Sequence, residues 1–161
     1  VGDAGLLADG ARYEGENYHQ FAHRGLWYGV TLAEVAGVPL PPALLARFAA
    51  GFAAPFLSAL PDDTLPSRRD SQYAISLRQW RWAESCELGL ARGDDARLAG
   101  TLARLYAPGA PRGDTGRWRT AGEAERNEPP VALGRADLGW KSLLHARPTL
   151  PEAPAWAPAS V

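Results

Sequence analysis

The chain has 161 residues, of which 46% are hydrophobic and 22% charged, and its formal net charge is −1. This composition is that of a globular chain long enough to bury a hydrophobic core. The near-neutral charge argues against a nucleic-acid-binding protein, and the single cysteine, Cys86, excludes an internal disulfide framework and a cysteine-rich zinc site.

The first two predicted elements are helices. One runs from about Glu16 to Ala36 and stops at Gly37. Most of its positions are apolar or small, so we expect neighbouring elements to cover it on more than one side. The prolines at 41 and 42 suit the first turn of a second helix that extends toward Leu60. Within it, Pro55 should cause a kink or an interruption.

Three more helices are predicted downstream. The third covers roughly Gln72 to Ala91 and is ended by Gly93, after which Asp94 or Asp95 caps a short amphipathic fourth helix. A last helix lies around Arg135 to His145 and is expected to bury three leucines: Leu138, Leu143 and Leu144. Because no segment shows convincing strand alternation, the sequence predicts an all-α fold.

The predicted domain organisation is one helical segment over residues 1–147. It includes a long loop at 107–131 that is rich in proline, glycine and charge, and a proline- and alanine-rich linker at 148–161. No signal peptide is visible, and no apolar run is long enough to cross a bilayer. The chain starts at a valine and contains no methionine, so we expect an excerpt of a longer protein. A periplasmic or secreted location is favoured, with a cytoplasmic one left open.

The richest stretch runs from Asp9 to Gly25 and reads DGARYEGENYHQFAHRG. It concentrates tyrosine, histidine, asparagine and glutamate at a loop-to-helix junction, and such side chains are the usual proton-transfer groups. The pattern Asp-Gly-x-x-Tyr-Glu-Gly-x-Asn-Tyr-His, leading into an apolar helix, resembles the heparinase II/III-like family of polysaccharide lyases. The resemblance covers roughly Gly2 to Tyr106 and is strongest in this stretch.

The resemblance implies a fold, a reaction and a partner. The fold would be part of an (α/α) toroid, with helical hairpins in two layers, followed by a β-sandwich domain of the same parent chain. The reaction would be β-elimination in a glycan that contains uronic acid, with no cofactor. Tyr18 matches the family's proton-transfer tyrosine, and His19 is its nearest rival. The family also has an upstream Asn-His pair, which nothing before Asp9 contains.

Two groups of residues are predicted to bind the acidic polysaccharide or oligosaccharide. β-Elimination requires a base for the C5 proton, an acid for the leaving oxygen, and donors that neutralise the carboxylate. Around Tyr18, the expected binding residues are Tyr13, Glu14, Asn17, His23 and Arg24. The second group follows a proline turn, where two guanidinium groups could pair with acidic groups of the substrate: Arg68, Arg69, Asp70 and Tyr73.

Other interpretations stay open. Each of these side chains could instead cap a helix, pack in the core or lie in a solvated charge cluster. His19 and His23 have the spacing of a zinc peptidase helix, but Gln20 stands where that motif needs glutamate, and we predict no metal. The chain could be a non-catalytic helical module that binds glycan or protein. A glycoside hydrolase is less favoured, because Glu14 and Glu16 are too close in sequence to flank a glycosidic bond.

Overall fold

The computed structural model describes residues 5–61, 63–69, 75–107 and 133–152. The chain divides into two compact units, Val1–Ile75 and Ser76–Val161, and each is described by itself. The described residues are mostly helical, which confirms the all-α prediction at that level. Five α-helices, two 3-10 turns and two short strands follow one another in this order: α1 (Glu16–Val35), α2 (Pro42–Gly51), a 3-10 turn (Ala54–Ser58), β1 (Thr64–Leu65), β2 (Ile75–Ser76), α3 (Trp80–Arg92), α4 (Ala96–Leu105), a 3-10 turn (Arg135–Asp137) and α5 (Trp140–His145).

Helix α1 has the predicted bounds but not the predicted burial. Gly37 follows it with a φ of +67°, the left-handed conformation that commonly ends a helix. Its buried side is largely polar and consists of Glu16, His19, Gln20, His23, Trp27 and Val30. Phe21, Leu32 and Val35 are 79%, 69% and 82% exposed. The expectation that neighbours cover α1 on more than one side is therefore wrong for the described residues.

The second predicted helix is interrupted where proline was expected to interrupt it. Helix α2 ends at Gly51, and Pro55 lies in the first turn of the following 3-10 segment. Proline cannot supply the N–H that a continuing α-helix would need there. Phe48 and Phe52 are 1% and 2% exposed and contact each other, so this short helix still contributes to the core of its unit.

The prediction that the third helix starts near Gln72 is wrong. Ile75 and Ser76 form strand β2, which pairs with β1 in a two-stranded sheet, and α3 begins only at Trp80. Burial alternates from residue 75 to residue 79, with Ile75, Leu77 and Gln79 buried. This is the period of extended backbone.

The second unit is built around α3, which packs against α4 and α5. Nine consecutive residues of α3, 82–90, are buried, and α4 adds Leu98, Leu102 and Leu105. Asp95 caps α4 by accepting a hydrogen bond from the Arg97 backbone N–H at 2.9 Å, as predicted. Cys86 is fully buried, and burial raises the pKa of its thiol.

The last predicted helix is shorter than expected and buries different residues. Leu143 and Leu144 are 85% and 68% exposed, so the prediction that they are buried is wrong, and Leu138 is only partly buried. Lys141 is buried instead, and its Nζ lies 2.8 Å from Oε2 of the buried Glu84. A buried carboxylate is stabilised by a neighbouring cation, and Lys141 supplies it from the side of α5 that faces α3.

A second carboxylate of α3 is bound in the same way. Glu87 is 1% exposed and accepts hydrogen bonds from Nε and Nη2 of Arg135, the latter at 2.7 Å. The Tyr106 hydroxyl donates to Glu87 Oε1 at 2.9 Å. Burial and the neighbouring carboxylate raise the pKa of Tyr106. The segment after residue 133 is thus attached to α3 by two ion pairs, of which Lys141–Glu84 is buried on both sides and Arg135–Glu87 only on the side of the carboxylate.

The predicted loop at 107–131 lies outside the described residues except for Ala107, and the predicted linker is described only over 148–152, which form no helix or strand. Within the part of the chain that the structure describes, no helix has both the length and the apolar character needed to cross a membrane.

Candidate functional site

The first unit contains a cavity of about 350 Å³ at the start of α1. The loop that precedes α1, the first turn of α1 and the segment after β1 each contribute to its wall. Its polar and charged lining consists of Asp9, Arg12, Tyr13, Glu16, His19, Arg68 and Arg69. Residues from both predicted groups, 13–24 and 68–73, therefore meet in one concave site.

A close backbone approach beneath the cavity explains the Asp-Gly pair of the motif. Gly10 has a φ of +82°, and a Cβ atom added to it would lie 2.4 Å from the Gly51 nitrogen. Only glycine combines that conformation with that proximity. Asp9 closes the turn by accepting a hydrogen bond from the Ala11 backbone N–H at 3.0 Å. The loop is thereby held against the end of α2.

His19 is a buried imidazole with one defined role. Its Nε2 lies 2.8 Å from the carbonyl oxygen of Gly51, which can only accept, so Nε2 carries the proton. Its Nδ1 is buried and has no hydrogen-bond partner among the described residues. Burial lowers the pKa of His19, because a charged ring would hold a second, unsatisfied N–H. His19 is therefore a neutral ring whose Nδ1 is an acceptor.

His23 lies one turn further along α1 and supports the same end of α2. Its Nε2 is 2.9 Å from the Phe48 carbonyl oxygen, and its ring stacks on that of His19 with centroids 5.2 Å apart. Carbonyls in the last turn of a helix lack partners within the helix, and the two imidazoles provide them. The described residues contain no group of three or more His, Cys, Asp or Glu side chains placed to hold a metal.

The three arginines of the cavity have different partners. Arg12 Nε lies 2.8 Å from Glu14 Oε2, whereas Arg68 Nε lies 3.4 Å from Glu16 Oε1. The same Glu16 oxygen accepts a hydrogen bond from the Ser58 hydroxyl at 2.7 Å. The third arginine, Arg69, places its guanidinium carbon 3.7 Å from the centre of the Tyr13 ring.

The remaining predicted residues lie elsewhere. Tyr18 is 43% exposed and does not line the cavity, although it precedes His19 in sequence. Asn17 and Arg24 are partly buried on α1, outside the lining. Asp70 and Tyr73 lie outside the described residues. Glu14 is exposed and does not line the cavity, but it forms an ion pair with Arg12, which does.

Sequence reasoning missed three members of the cavity: Asp9, Arg12 and Glu16. Asp9 and Arg12 belong to the motif itself, so their closeness to Tyr13 was a usable signal. In the sequence, Glu16 is considered only together with Glu14, as a carboxylate pair of a glycoside hydrolase. Its contact with Ser58 spans 42 residues and has no signal in the local sequence.

A larger cavity of about 530 Å³ lies in the second unit, beside α5. Its two guanidinium groups are already engaged, Arg135 by Glu87 and Arg147 by Asp94 at 2.6 Å. The cavity at the start of α1 is the better candidate for an acidic ligand.

Comparison with protein-family models, with curated proteins and with solved structures finds no match for this chain in any of the three.

Proposed function

We propose that this chain supplies part of the substrate site of a polysaccharide lyase that acts on a glycan containing uronic acid. The observation that carries the proposal is the cavity at the start of α1, where three arginines, Tyr13 and a neutral His19 share one wall. Guanidinium groups bind carboxylates through paired hydrogen bonds, and their charge does not depend on pH in the physiological range. An acidic sugar suits such a site better than a neutral one.

The reaction we propose is β-elimination. A base removes the C5 proton next to the uronate carboxylate, the C4–C5 double bond forms, and the C4–O4 bond breaks as O4 receives a proton. The negative charge that develops on the carboxylate in the transition state needs fixed cations or donors close by. In the proposal, the arginines of the cavity have this role.

Tyr18 is the residue that we propose for proton transfer. Its side chain is 43% exposed in the first turn of α1, so a substrate lying across the cavity mouth and this turn could reach the hydroxyl. His19 is the rival, since its Nδ1 is an unprotonated acceptor, and Tyr13 offers a hydroxyl in the cavity wall itself. A hydroxyl and a neutral imidazole are both competent proton-transfer groups.

The proposed architecture is part of an (α/α) toroid followed by a β-sandwich domain. The exposed apolar side of α1 supports the toroid, because each helix of such an assembly has neighbouring hairpins on both flanks. The β-sandwich and the acidic glycan are the two partners that the proposal implies.

A non-catalytic glycan-binding module is the second candidate. It is favoured by two observations: Tyr18 does not line the cavity, and the imidazole of His19 is already hydrogen-bonded to the carbonyl oxygen of Gly51. In that case the arginines and Tyr13 would bind an acidic sugar without cleaving it.

An ultraviolet assay for unsaturated uronate distinguishes these functions. The full-length parent protein is incubated with a panel of uronate polymers, and so are its variants Tyr18→Phe and His19→Gln. Tyr28→Phe is the matched control, because Tyr28 is a similarly exposed tyrosine on α1 at 46%. Product from the wild type and the control, but not from Tyr18→Phe, is the expected result. Binding without product supports the binding module, and neither binding nor product refutes both.

A further inference from the structure

The arginines of the cavity differ in how far their charge is already neutralised. Arg12 is hydrogen-bonded to Glu14, and Arg68 faces the carboxylate of Glu16. Among the described residues, Arg69 has neither a carboxylate partner nor a hydrogen bond, and its contact is with the ring of Tyr13. An incoming acidic group can therefore pair with Arg69 without displacing a carboxylate of the protein, unlike at Arg12 or Arg68.

The backbone of Arg69 is held in an unusual conformation. Its φ of +50° lies in the left-handed region, which non-glycine residues seldom occupy. Such strain is maintained where the surrounding structure requires it, and it is concentrated at ligand sites. Here it accompanies the placement of the guanidinium over Tyr13, with the guanidinium carbon 3.7 Å from the ring centre.

The stack leaves the recognition chemistry of Arg69 intact. A cation over an aromatic face is attracted by the ring quadrupole, and this attraction does not require the N–H donors. Arginine has five such donors in a planar fork, which matches the two oxygens of a carboxylate. A guanidinium that is already positioned loses less conformational freedom when it binds than a free side chain does.

We infer that the stacked pair Tyr13–Arg69 is the carboxylate receptor of this cavity, with Arg69 as the binding residue and Tyr13 as the residue that positions it. The inference rests on the proposed acidic-glycan function and gives it a specificity: a planar carboxylate in preference to a sulfate. Arg68 and Arg12 are paired with Glu16 and Glu14, and they contribute only to the electrostatic potential of the cavity.

Calorimetric binding to three oligosaccharides tests the inference. The probes are an oligouronate, the same oligomer with its carboxyl groups reduced to alcohols, and an oligosaccharide of neutral sugars that carries sulfate groups. We expect the wild type to bind the oligouronate at least about tenfold more tightly than either of the others, which is the range for a charge-assisted hydrogen-bonded pair. Equal binding of the reduced oligomer, or preference for the sulfated one, overturns the inference.

Variants separate the two roles. Arg69→Lys keeps the charge and loses the fork, and it should weaken oligouronate binding by about tenfold. Tyr13→Phe keeps the ring face and should bind like the wild type, whereas Tyr13→Leu should bind several-fold more weakly. Arg97→Gln, an exposed arginine of the second unit, is the control. Wild-type affinity in Arg69→Lys refutes the role of Arg69, and equal affinity of the two Tyr13 variants refutes that of Tyr13.

This experiment can fail independently of the lyase proposal. If the oligouronate binds in an Arg69-dependent way and no product forms, the carboxylate receptor is supported and the lyase proposal is refuted. If product forms and Arg69→Lys changes neither the rate nor KM, the lyase proposal is supported and the role of Arg69 as carboxylate receptor is refuted.

Discussion

The Nε2 atom of His19 lies 2.8 Å from the carbonyl oxygen of Gly51, and this contact joins α1 to the end of α2. Because burial lowers the pKa of His19, the folded chain takes up its proton at a lower pH than the unfolded chain, where the value is about 6.5. Between these two pKa values, the unfolded state binds more protons.

We therefore expect the free energy of unfolding to fall as the pH drops from above 6.5 through the lowered pKa of His19. His19→Gln should flatten this dependence, since the amide can still donate to Gly51 and does not titrate. Urea titrations above and below that pH measure the difference. A wild-type pH dependence in His19→Gln would contradict the assignment.

Gly10→Ala should destabilise the first unit by about 1–3 kcal/mol, because the left-handed φ and the approach to the Gly51 nitrogen both exclude a side chain. Gly25→Ala is the matched control. Nothing lies within 4 Å of a Cβ atom at Gly25, so alanine there should stabilise α1 by about 0.5–1 kcal/mol. Thermal unfolding of the two variants gives the comparison, and equal melting temperatures would argue against the close approach.

Lys141→Met should reduce the free energy of unfolding of the second unit by about 3–5 kcal/mol, because it leaves the buried Glu84 carboxylate without its cation. The double variant Glu84→Leu/Lys141→Met should recover much of that loss. Urea unfolding of both single variants and the double one provides the coupling energy.

The control for this cycle is the exposed ion pair of Arg97 and Asp95. Arg97→Gln should change stability by less than about 1 kcal/mol, as is usual for surface pairs. If Lys141→Met stays within that range, the ion pair does not stabilise α5 on α3.

The exposed apolar side of α1 should make the chain prone to self-association. Phe21 and Leu32 are 79% and 69% exposed, and exposed large apolar side chains on one helix favour association. The double variant Phe21→Gln/Leu32→Gln should bind less hydrophobic dye and remain monomeric at higher concentration, with an unchanged melting temperature. Val30→Gln, on the buried side, should lower the melting temperature. A large loss of stability in the double variant would mean that this side is covered in solution.

Local chemical signals predicted some of the helix boundaries but not the starts of α3 and α5. Gly37, Pro55 and Asp95 each act through their own backbone or side chain, so their effect can be recognised from a few neighbouring residues. The side of α5 that is buried could not be predicted in this way. It depends on Glu84, which is 57 positions before Lys141 (141 − 84) in the sequence and one helix away in the fold.

The sequence predicts the residue types of the candidate site, but it does not predict correctly which residues line the cavity. Tyr13, His19, Arg68 and Arg69 were identified from their residue types, and the fold brings them to one cavity. Tyr18 and His19 are neighbours in sequence, yet successive residues of a helix point about 100° apart. One therefore lies on the exposed side of α1 and the other beneath the cavity.

The buried ion pair of α5 also determines which chemistry the folded surface can undergo. Lys141 is the only lysine of the chain, and it is 2% exposed. Acetylation, ubiquitination or cross-linking of a lysine requires an accessible ε-amino group, and the ε-amino group of Lys141 is buried in the fold. Arginine carries the surface positive charge, so that charge persists at any physiological pH. Acylation of Lys141, detected by mass spectrometry, would accordingly report the opening of α5 at this one residue.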